Sequence, residues 1–331
     1  MFWGMNEKLA CLVGVQGGVF SRRDAMDCGY SAGEIRDRLR TGAWRRVCRG
    51  QYTAESIGAE SPPWLAGVVA HRLASAAALR SLTGDVVLSH QSATVEYGLS
   101  AWGLDLSRVH VTRRDGAGGR VTRTVVQHNA QLPAGSVWLR DDRHVVTPAR
   151  SIIEVASTLG VEPALAIADE ALRRGLVTMQ ALEYALCDAA NWPHAPRARQ
   201  VVQLANGLSE SVGESRLRLL MSNGGLPVPI LQAEFRDDGV LIARVDFFFP
   251  WFRTIVEFDG RVKYDGNPEA LIREKRREDE LRDRGYEFVR VTWPDLDHPA
   301  ITIHRIRQAF ARADARGYPG LLQVSPGNSR G

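Results

Sequence analysis

The chain has 331 residues, of which 44% are hydrophobic and 24% are charged, with a formal net charge of +4 and a pI near 9.0. This composition is ordinary for globular proteins and excludes a disordered or fibrous chain, and the length favours two or three domains. No apolar run reaches the ~18 residues that a membrane helix needs, and the N-terminus lacks a secretory signal pattern.

The cysteine spacing and the small net charge bear on metal binding, disulfide bonding and nucleic-acid binding. Four cysteines (Cys11, Cys28, Cys48 and Cys187) are widely spaced and form no C-x-x-C pair, so neither a cysteine zinc site nor a disulfide framework is predicted. A charge of +4 does not by itself identify a nucleic-acid binder. We expect a cytoplasmic protein with no membrane partner.

Residues 1–55 carry the signals of three short helices and a hairpin. Ser21 and Ser31 are typical N-caps for helices over 22–28 and 32–40, and Glu34 completes a capping box. A strand–turn–strand pattern with Gly50 at the bend follows over 44–53. This order predicts a winged helix-turn-helix.

In such a domain the second helix of the motif would read a DNA groove, and the hairpin would contact phosphates. The segment has nine Lys and Arg residues against six Asp and Glu, so it is itself positive. A solvated arginine face, or a module that binds protein instead of DNA, is the alternative. The candidate DNA-binding residues are Ser31, Arg36, Arg38 and Arg40 on the helix and Arg45, Arg46 and Arg49 on the hairpin.

The strings G-G-V-F-S-R-R-D-A, G-A-W-R-R-V-C-R-G-Q-Y and L-S-H-Q-S-A-T-V-E-Y-G-L resemble AbiEi-family antitoxins of type IV toxin–antitoxin systems. The resemblance implies a DNA-binding winged helix followed by an α/β domain. It also implies autoregulation and a partner toxin or antitoxin protein.

Residues 56–195 read as this middle α/β domain. A helix is predicted over 64–80, and the strands 109–113 and 122–128 are predicted to be joined by the Gly-rich turn 115–119. His90 follows a strand and lies beside two serines, but no third member of a catalytic triad is evident. We interpret His90 as a structural residue at a strand–helix junction.

Residues 196–325 form the third predicted domain, with the element order helix, three strands, helix, strand, helix. The strand over 253–259 carries Glu257 and Asp259 on one face, and the preceding strand carries Asp246 among apolar neighbours. Glu214 lies on the first helix. Because buried carboxylates are costly unless something binds them, the pattern predicts a divalent metal, Mg²⁺ or Mn²⁺.

The αβββαβα order, together with the strings R-V-D-F-F-F-P and V-E-F-D-G-R-V-K-Y, resembles the very-short-patch-repair-like branch of PD-(D/E)XK nucleases. The resemblance implies a restriction-endonuclease-like core. It assigns Asp246 and Glu257 as metal ligands and Glu214 as the acid of the first helix.

The chain departs from that pattern because Asp259 stands at the position of the family lysine. Lys263 could reach back to the site, or Lys275 on the following helix could replace it. The histidines of the repair enzymes are missing. Glu214 could alternatively pair with Arg216 or Arg218 on an exposed helix.

The sequence thus predicts an α+β multidomain protein with two functional interpretations. In the first, Glu214, Asp246, Glu257, Asp259 and Lys263 form the catalytic site of a metal-dependent DNA endonuclease. In the second, the chain is a DNA-binding regulator or antitoxin with a catalytically inert nuclease fold.

Overall fold

The computed structural model describes residues 5–55, 62–260, 268–315 and 322–327. Within these ranges the protein has a mixed α+β fold with three sheets, and it forms two compact units. The first unit comprises Met1–Ile167 and Gln180–Arg199, and the second comprises Ala168–Met179 and Gln200–Gly331. Within the described residues, no helix combines the length and apolarity needed to cross a bilayer.

The first unit begins with three helices and a small sheet. Ser21 and Ser31 accept hydrogen bonds from the backbone of Asp24 and Glu34, and both helices have the complete capping box. Trp44 fills the centre of this segment, with its ring edge-on to Phe20. The sheet has the order β1-β3-β2. The elements are α1 (Glu7–Val15), β1 (Phe20–Ser21), α2 (Arg22–Asp27), α3 (Ala32–Arg40), β2 (Arg45–Cys48) and β3 (Gln51–Thr53).

A long alanine-rich helix, α4 (Pro63–Ser81), packs against the small sheet of this segment. Leu73 and Ala76 of α4 form a buried apolar cluster with Val19. At the end of the helix, Arg80 donates to the Asp24 carboxylate at 2.7 Å. The predicted domains 1–55 and 56–195 therefore belong largely to one compact unit, and the boundary between them stays a prediction.

The rest of the first unit is built on a six-stranded sheet of order β6-β7-β5-β4-β9-β8. Its elements are β4 (Val86–Leu88), α5 (His90–Glu96), β5 (Val109–Arg113), β6 (Arg120–Val121), β7 (Val125–Asn129), β8 (Val137–Arg140), β9 (Arg143–Val146) and α6 (Pro148–Thr158). Three further helices follow in the chain: α7 (Val161–Arg173), α8 (Met179–Asp188) and α9 (Ala195–Leu204).

The two strands that flank the Gly-rich segment 115–119 do not form the simple hairpin implied by the sequence. β5 and β7 are parallel, with His110 opposite Val126 and Thr112 opposite His128. The hairpin partner of β7 is the short β6, which turns back only a few residues earlier. A sequence pattern marks a turn locally, but it does not fix which strand lies beside which.

The second unit contains a five-stranded sheet of order β13-β12-β11-β10-β14. Its elements are α10 (Val212–Asn223), β10 (Ile230–Asp237), β11 (Val240–Phe249), a 3₁₀ turn (Pro250–Phe252), β12 (Thr254–Asp259), α11 (Pro268–Asp283), β13 (Glu287–Thr292), α12 (Trp293–Leu296), α13 (Pro299–Ala315) and β14 (Gln323–Ser325). From α10 to α13 the helices and strands predicted from the sequence are all present, and β12 and β13 pair in parallel.

Two apolar clusters cover the two faces of this sheet. One joins Phe247 and Phe258 to Leu217 of α10 and to Phe310 of α13. The other joins residues of β10, β11 and β12 to Leu281 of α11. The sheet is therefore a buried layer between helices, which explains why its strands are mostly apolar.

Gly213 of α10 lies against this sheet. A Cβ placed on Gly213 would lie 1.9 Å from the Phe258 ring, which is buried and packs edge-on against Trp293. We predict that Gly213→Ala lowers the free energy of unfolding by about 1–3 kcal/mol, because the ring must move within a packed core. Urea unfolding measures this. The control is Gly67→Ala in α4, where a Cβ meets no atom within 4 Å; equal stability of the two variants would contradict the prediction.

Candidate functional site

An irregularity in two neighbouring strands sets the geometry of the acidic residues in the second unit. Leu231 of β10 packs on the face of α10, whereas Ala233, two residues later, packs on the opposite face. In β11 the same switch occurs between Val245 and Phe247. Residues two apart on a regular strand share a face, so the side chains of both strands change faces at this level, although the pairs Leu231–Phe247 and Ala233–Val245 keep one register.

Gln232 lies at the residue level where the side chains of β10 change faces. Its φ is +48°, a left-handed conformation that is uncommon for a non-glycine residue, and its side chain is 4% exposed. Its amide nitrogen donates to Glu214 Oε2 at 3.1 Å and to Asp246 Oδ1 at 3.4 Å. The other oxygen of Asp246 accepts the backbone N–H of Phe258 at 2.8 Å. Gln232 thus brings together two of the predicted site residues.

Glu214 is buried near the start of α10, so the alternative that it pairs with Arg216 or Arg218 on an exposed helix is wrong. Arg218 instead forms a buried ion pair with Asp169, and Arg216 lies near Asp297. Glu214 accepts from the Ser211 hydroxyl at 2.8 Å and from the Glu210 N–H at 2.9 Å. Burial, reinforced by the Asp246 charge, raises the pKa of Glu214 to about 7.

Glu257 and Asp259 lie on β12 beside guanidinium groups. Arg277 of α11 donates to Glu257 Oε1 at 3.0 Å. Arg290 of β13 lies 3.9 Å from a carboxylate oxygen of each of the two acids. Lys263 lies outside the described residues, and Lys275 is exposed on α11. In the described part of the chain, Arg277 and Arg290 are thus both beside Glu257.

The carboxylates do not converge as one tight cluster. Of the described His, Cys, Asp and Glu side chains, the only set of three with ligand atoms within 4.8 Å of one another is a histidine group in the first unit. In the second unit the structure instead gives a close pair, Glu214 and Asp246, with Glu257 held separately by Arg277.

The predicted DNA-binding residues of the first unit differ in their surroundings. Ser31 is occupied as the cap of α3, and the Arg38 guanidinium lies over the rings of Tyr30 and Trp44. Arg45 donates to the backbone oxygen of Glu55 at 2.6 Å. The remaining candidates, Arg36, Arg40, Arg46 and Arg49, are exposed, and Arg40 lies 3.7 Å from Asp37.

Sequence reasoning missed Gln232 and Arg277 as members of this site. Gln232 had a signal, because a glutamine interrupts the apolar run I-L-Q-A in a strand that is otherwise buried. Arg277 had none, since it lies in a charged helix whose alternating signs are typical of a solvated face.

Comparison with known proteins supports the resemblance of the N-terminal segment. Residues 12–54 match the family described as "Transcriptional regulator, AbiEi antitoxin". This match runs from within α1 to just after β3, so it covers the end of α1, all of α2 and α3, and the small sheet. It indicates a DNA-binding regulator or antitoxin, which is the second of the two interpretations of the sequence.

Two relatives from Mycobacterium tuberculosis match a longer part of the chain. "Uncharacterized protein Rv2248" of strain H37Rv and "Uncharacterized protein MT2308" of strain CDC 1551 are each 31% identical over 176 residues. The match covers 53% of this chain and 65% of each relative, so the chain spans just under two thirds of their length. Neither name describes an activity.

The raised pKa of Glu214 predicts a pH-dependent stability. Between pH 4.5, its ordinary value, and pH about 7 the folded protein binds more protons at this site than the unfolded chain, so stability falls as pH rises. We expect Glu214→Gln to remove a loss on the order of 3 kcal/mol across this window. Urea unfolding at pH 5 and pH 8 measures the difference.

The control for this prediction is Asp279→Asn, which neutralises an exposed acid of the same unit. It should leave the pH dependence of the wild-type protein unchanged. An identical pH dependence in Glu214→Gln and the wild type would contradict the prediction.

Proposed function

We propose that the chain is a DNA-binding regulator of the AbiEi antitoxin kind, which contacts DNA through α3 and the β2–β3 hairpin. The observation that carries this proposal is the family match over residues 12–54. Three helices followed by a hairpin are the element order of a winged helix-turn-helix, in which the helix before the hairpin enters the major groove.

The charge distribution on these elements supports the same role. Arg36 is exposed on α3, and Arg46 and Arg49 are exposed on β2 and at the hairpin turn. Exposed arginines on a helix and an adjacent hairpin suit groove and phosphate contacts, respectively. Arg38, packed over Tyr30 and Trp44, would instead hold the helix against its own core.

The winged-helix proposal predicts which arginines weaken DNA binding. We expect Arg46→Ala combined with Arg49→Ala to reduce affinity for duplex DNA from upstream of the protein's own gene by at least tenfold, because two phosphate contacts are lost. The slope of log affinity against log salt should fall by about 2. Fluorescence anisotropy at several salt concentrations measures both quantities.

The control for DNA binding is Arg23→Ala on α2, whose side chain is 90% exposed. It should bind like the wild type. Wild-type protein that does not bind DNA, or a double variant with unchanged affinity and salt slope, would overturn the proposed DNA contact. The same family match supports a partner toxin or antitoxin protein for this chain.

A second candidate function is phosphodiester hydrolysis by the second unit. The observation that favours it is the pair Glu214 and Asp246 around the left-handed Gln232. The sequence α10 to α13 has the element order of the PD-(D/E)XK nuclease core. Strained backbone at a buried polar residue is typical of functional sites.

The donor set fits a hard divalent cation such as Mg²⁺. Burial and, after it, the Asp246 charge raise the pKa of Glu214, and a cation between the two carboxylates would offset both effects. Glu214 and Asp246 would hold the ion, which usually needs only one or two protein carboxylates, and the nearby Glu257 would serve as a further ligand if Arg277 moved away. When bound, Mg²⁺ would stabilise negative charge on a phosphate and lower the pKa of a water molecule.

The chain's own residues have separate roles in this candidate. Gln232 would position Glu214 and Asp246, since one amide nitrogen donates to both. Arg277 and Arg290 would hold positive charge near the scissile phosphate, in the place of the family lysine. In this arrangement Arg277 neutralises the charge of Glu257. A catalytically inert, DNA-binding protein with the same fold would show the same pairing.

Plasmid cleavage distinguishes an active from an inert site. If the site is active, supercoiled plasmid is nicked in Mg²⁺ or Mn²⁺, and Asp246→Asn or Gln232→Ala lowers the rate at least 100-fold, because the cation loses a ligand or its positioning residue. Asp279→Asn is the matched control and should cleave normally. Activity that persists in both site variants, or that needs no metal, would contradict this assignment. If folded wild-type protein binds DNA but does not cleave it, the nuclease function is ruled out and the DNA-binding regulator remains.

A further inference from the structure

Three histidines meet on one face of the six-stranded sheet in the first unit. His90 opens α5 directly after β4, His110 is in β5 and His128 is in β7. Because β5 and β7 are parallel and Thr112 is opposite His128, His110 and His128 lie on the same face, two residues apart in register. One ring nitrogen from each of the three lies within 4.8 Å of the other two.

Contacts between the rings are close. The nitrogens His110 Nδ1 and His128 Nε2 are 2.9 Å apart, and the rings of His90 and His128 are stacked with their centroids 3.7 Å apart. His90 is buried and the other two are half-buried. Burial lowers the pKa of all three, to about 3 for His110 and well below the ordinary value for His90. All three rings are therefore neutral at pH 7, and neutral imidazole is the form that binds metals.

A shell of polar groups orients the rings. The Gln91 amide nitrogen donates to His110 Nε2 at 2.8 Å and to the Asp105 carbonyl at 3.2 Å. His90 Nδ1 lies 3.1 Å from the Ser89 hydroxyl and 3.4 Å from Glu154 Oε2. A carboxylate behind a histidine is the usual second shell of a metal ligand, because it fixes the ring tautomer and leaves Nε2 to the metal.

The backbone at His90 is itself constrained. Its φ is +53°, and its N–H donates to Glu154 at 2.8 Å. Glu154 is in turn paired with the buried Arg150, at 2.9 Å. A left-handed non-glycine residue held by a buried ion pair is costly, and such strain concentrates at functional sites. The surrounding structure thus fixes the place of the His90 ring among its two neighbours.

We propose that His90, His110 and His128 bind one divalent transition-metal ion, for which Zn²⁺ is the natural probe. Imidazole nitrogens at 2.0–2.1 Å around a tetrahedral zinc are about 3.4 Å apart. The His110–His128 pair must therefore open slightly from 2.9 Å, and His90 must turn out of its stack with His128. The fourth position is left to water or to an exogenous ligand, as in zinc sites with three protein ligands.

The hydrogen-bond chain can adjust to the ion. In the metal-free arrangement Gln91 donates to His110 Nε2, so His110 carries its proton on Nδ1 and donates it to His128. With the metal on Nδ1 the proton moves to Nε2. Among the described groups, the buried Oε1 of Gln91 has no hydrogen-bond partner, and rotation of that amide would let it accept this proton.

The experiment is a Zn²⁺ titration of full-length, chelator-treated protein by calorimetry. We expect one ion per chain at micromolar or tighter affinity and a higher thermal unfolding midpoint with Zn²⁺. His110→Gln and His128→Gln should each weaken binding at least 100-fold. His144→Gln is the matched control, because His144 is an exposed histidine on β9 of the same sheet. No binding by the wild type, or equal binding by folded His110→Gln and His144→Gln, would overturn the proposal.

A measurement on the wild type alone guards against variants that fail to fold. X-ray absorption of the zinc-loaded protein should show the multiple scattering of three imidazole ligands. A spectrum with only oxygen ligands would place the ion on carboxylates such as Glu214 and Asp246, and sulfur ligands would place it on cysteines. Either result would overturn the histidine site, and neither depends on whether the protein binds or cleaves DNA.

Discussion

A single left-handed residue inside a sheet governs the arrangement of the second unit. Gln232 has a positive φ at the level where the side chains of β10 and of β11 change from one face of the sheet to the other. Apolar side chains before and after that level therefore pack against different helices. The same exchange places Asp246 beside Gln232 and turns Gln232 toward Glu214. In the register of the two strands Gln232 lies opposite Asp246, between the pairs Leu231–Phe247 and Ala233–Val245, so one amide donor reaches both carboxylates.

The buried carboxylates of the second unit are balanced in two different ways. Glu257 is paired with Arg277, and Asp169 with Arg218, so each of these charges has a counter-charge within the chain. Glu214 accepts hydrogen bonds from three neutral donors, on Glu210, Ser211 and Gln232, and its burial together with the Asp246 charge raises its pKa. A site that binds a cation and a site that has lost this ability differ in how many of their carboxylates already have an arginine partner within the chain.

Much of the local structure follows from the sequence. The capping serines set the starts of α2 and α3, and the Asp238-Gly239 dipeptide, with positive φ at both residues, forms the two-residue turn between β10 and β11. Contacts that join distant residues did not follow. The parallel pairing of β5 with β7, the approach of Arg277 to Glu257 and the meeting of three histidines depend on tertiary packing, for which neither periodicity nor spacing carries a signal.

The Asp169–Arg218 pair determines which segments of the chain must be inherited together. Asp169 comes from α7, well before residue 196, yet it also accepts the Ser215 hydroxyl at 2.6 Å and the Asn206 N–H at 2.8 Å. A gene fragment beginning at residue 196 would leave a buried guanidinium unpaired, which typically costs about 3–5 kcal/mol. Recombination that exchanged only the segment from residue 196 onward would therefore yield an unstable product, because the second unit also includes Ala168–Met179, the segment that supplies Asp169.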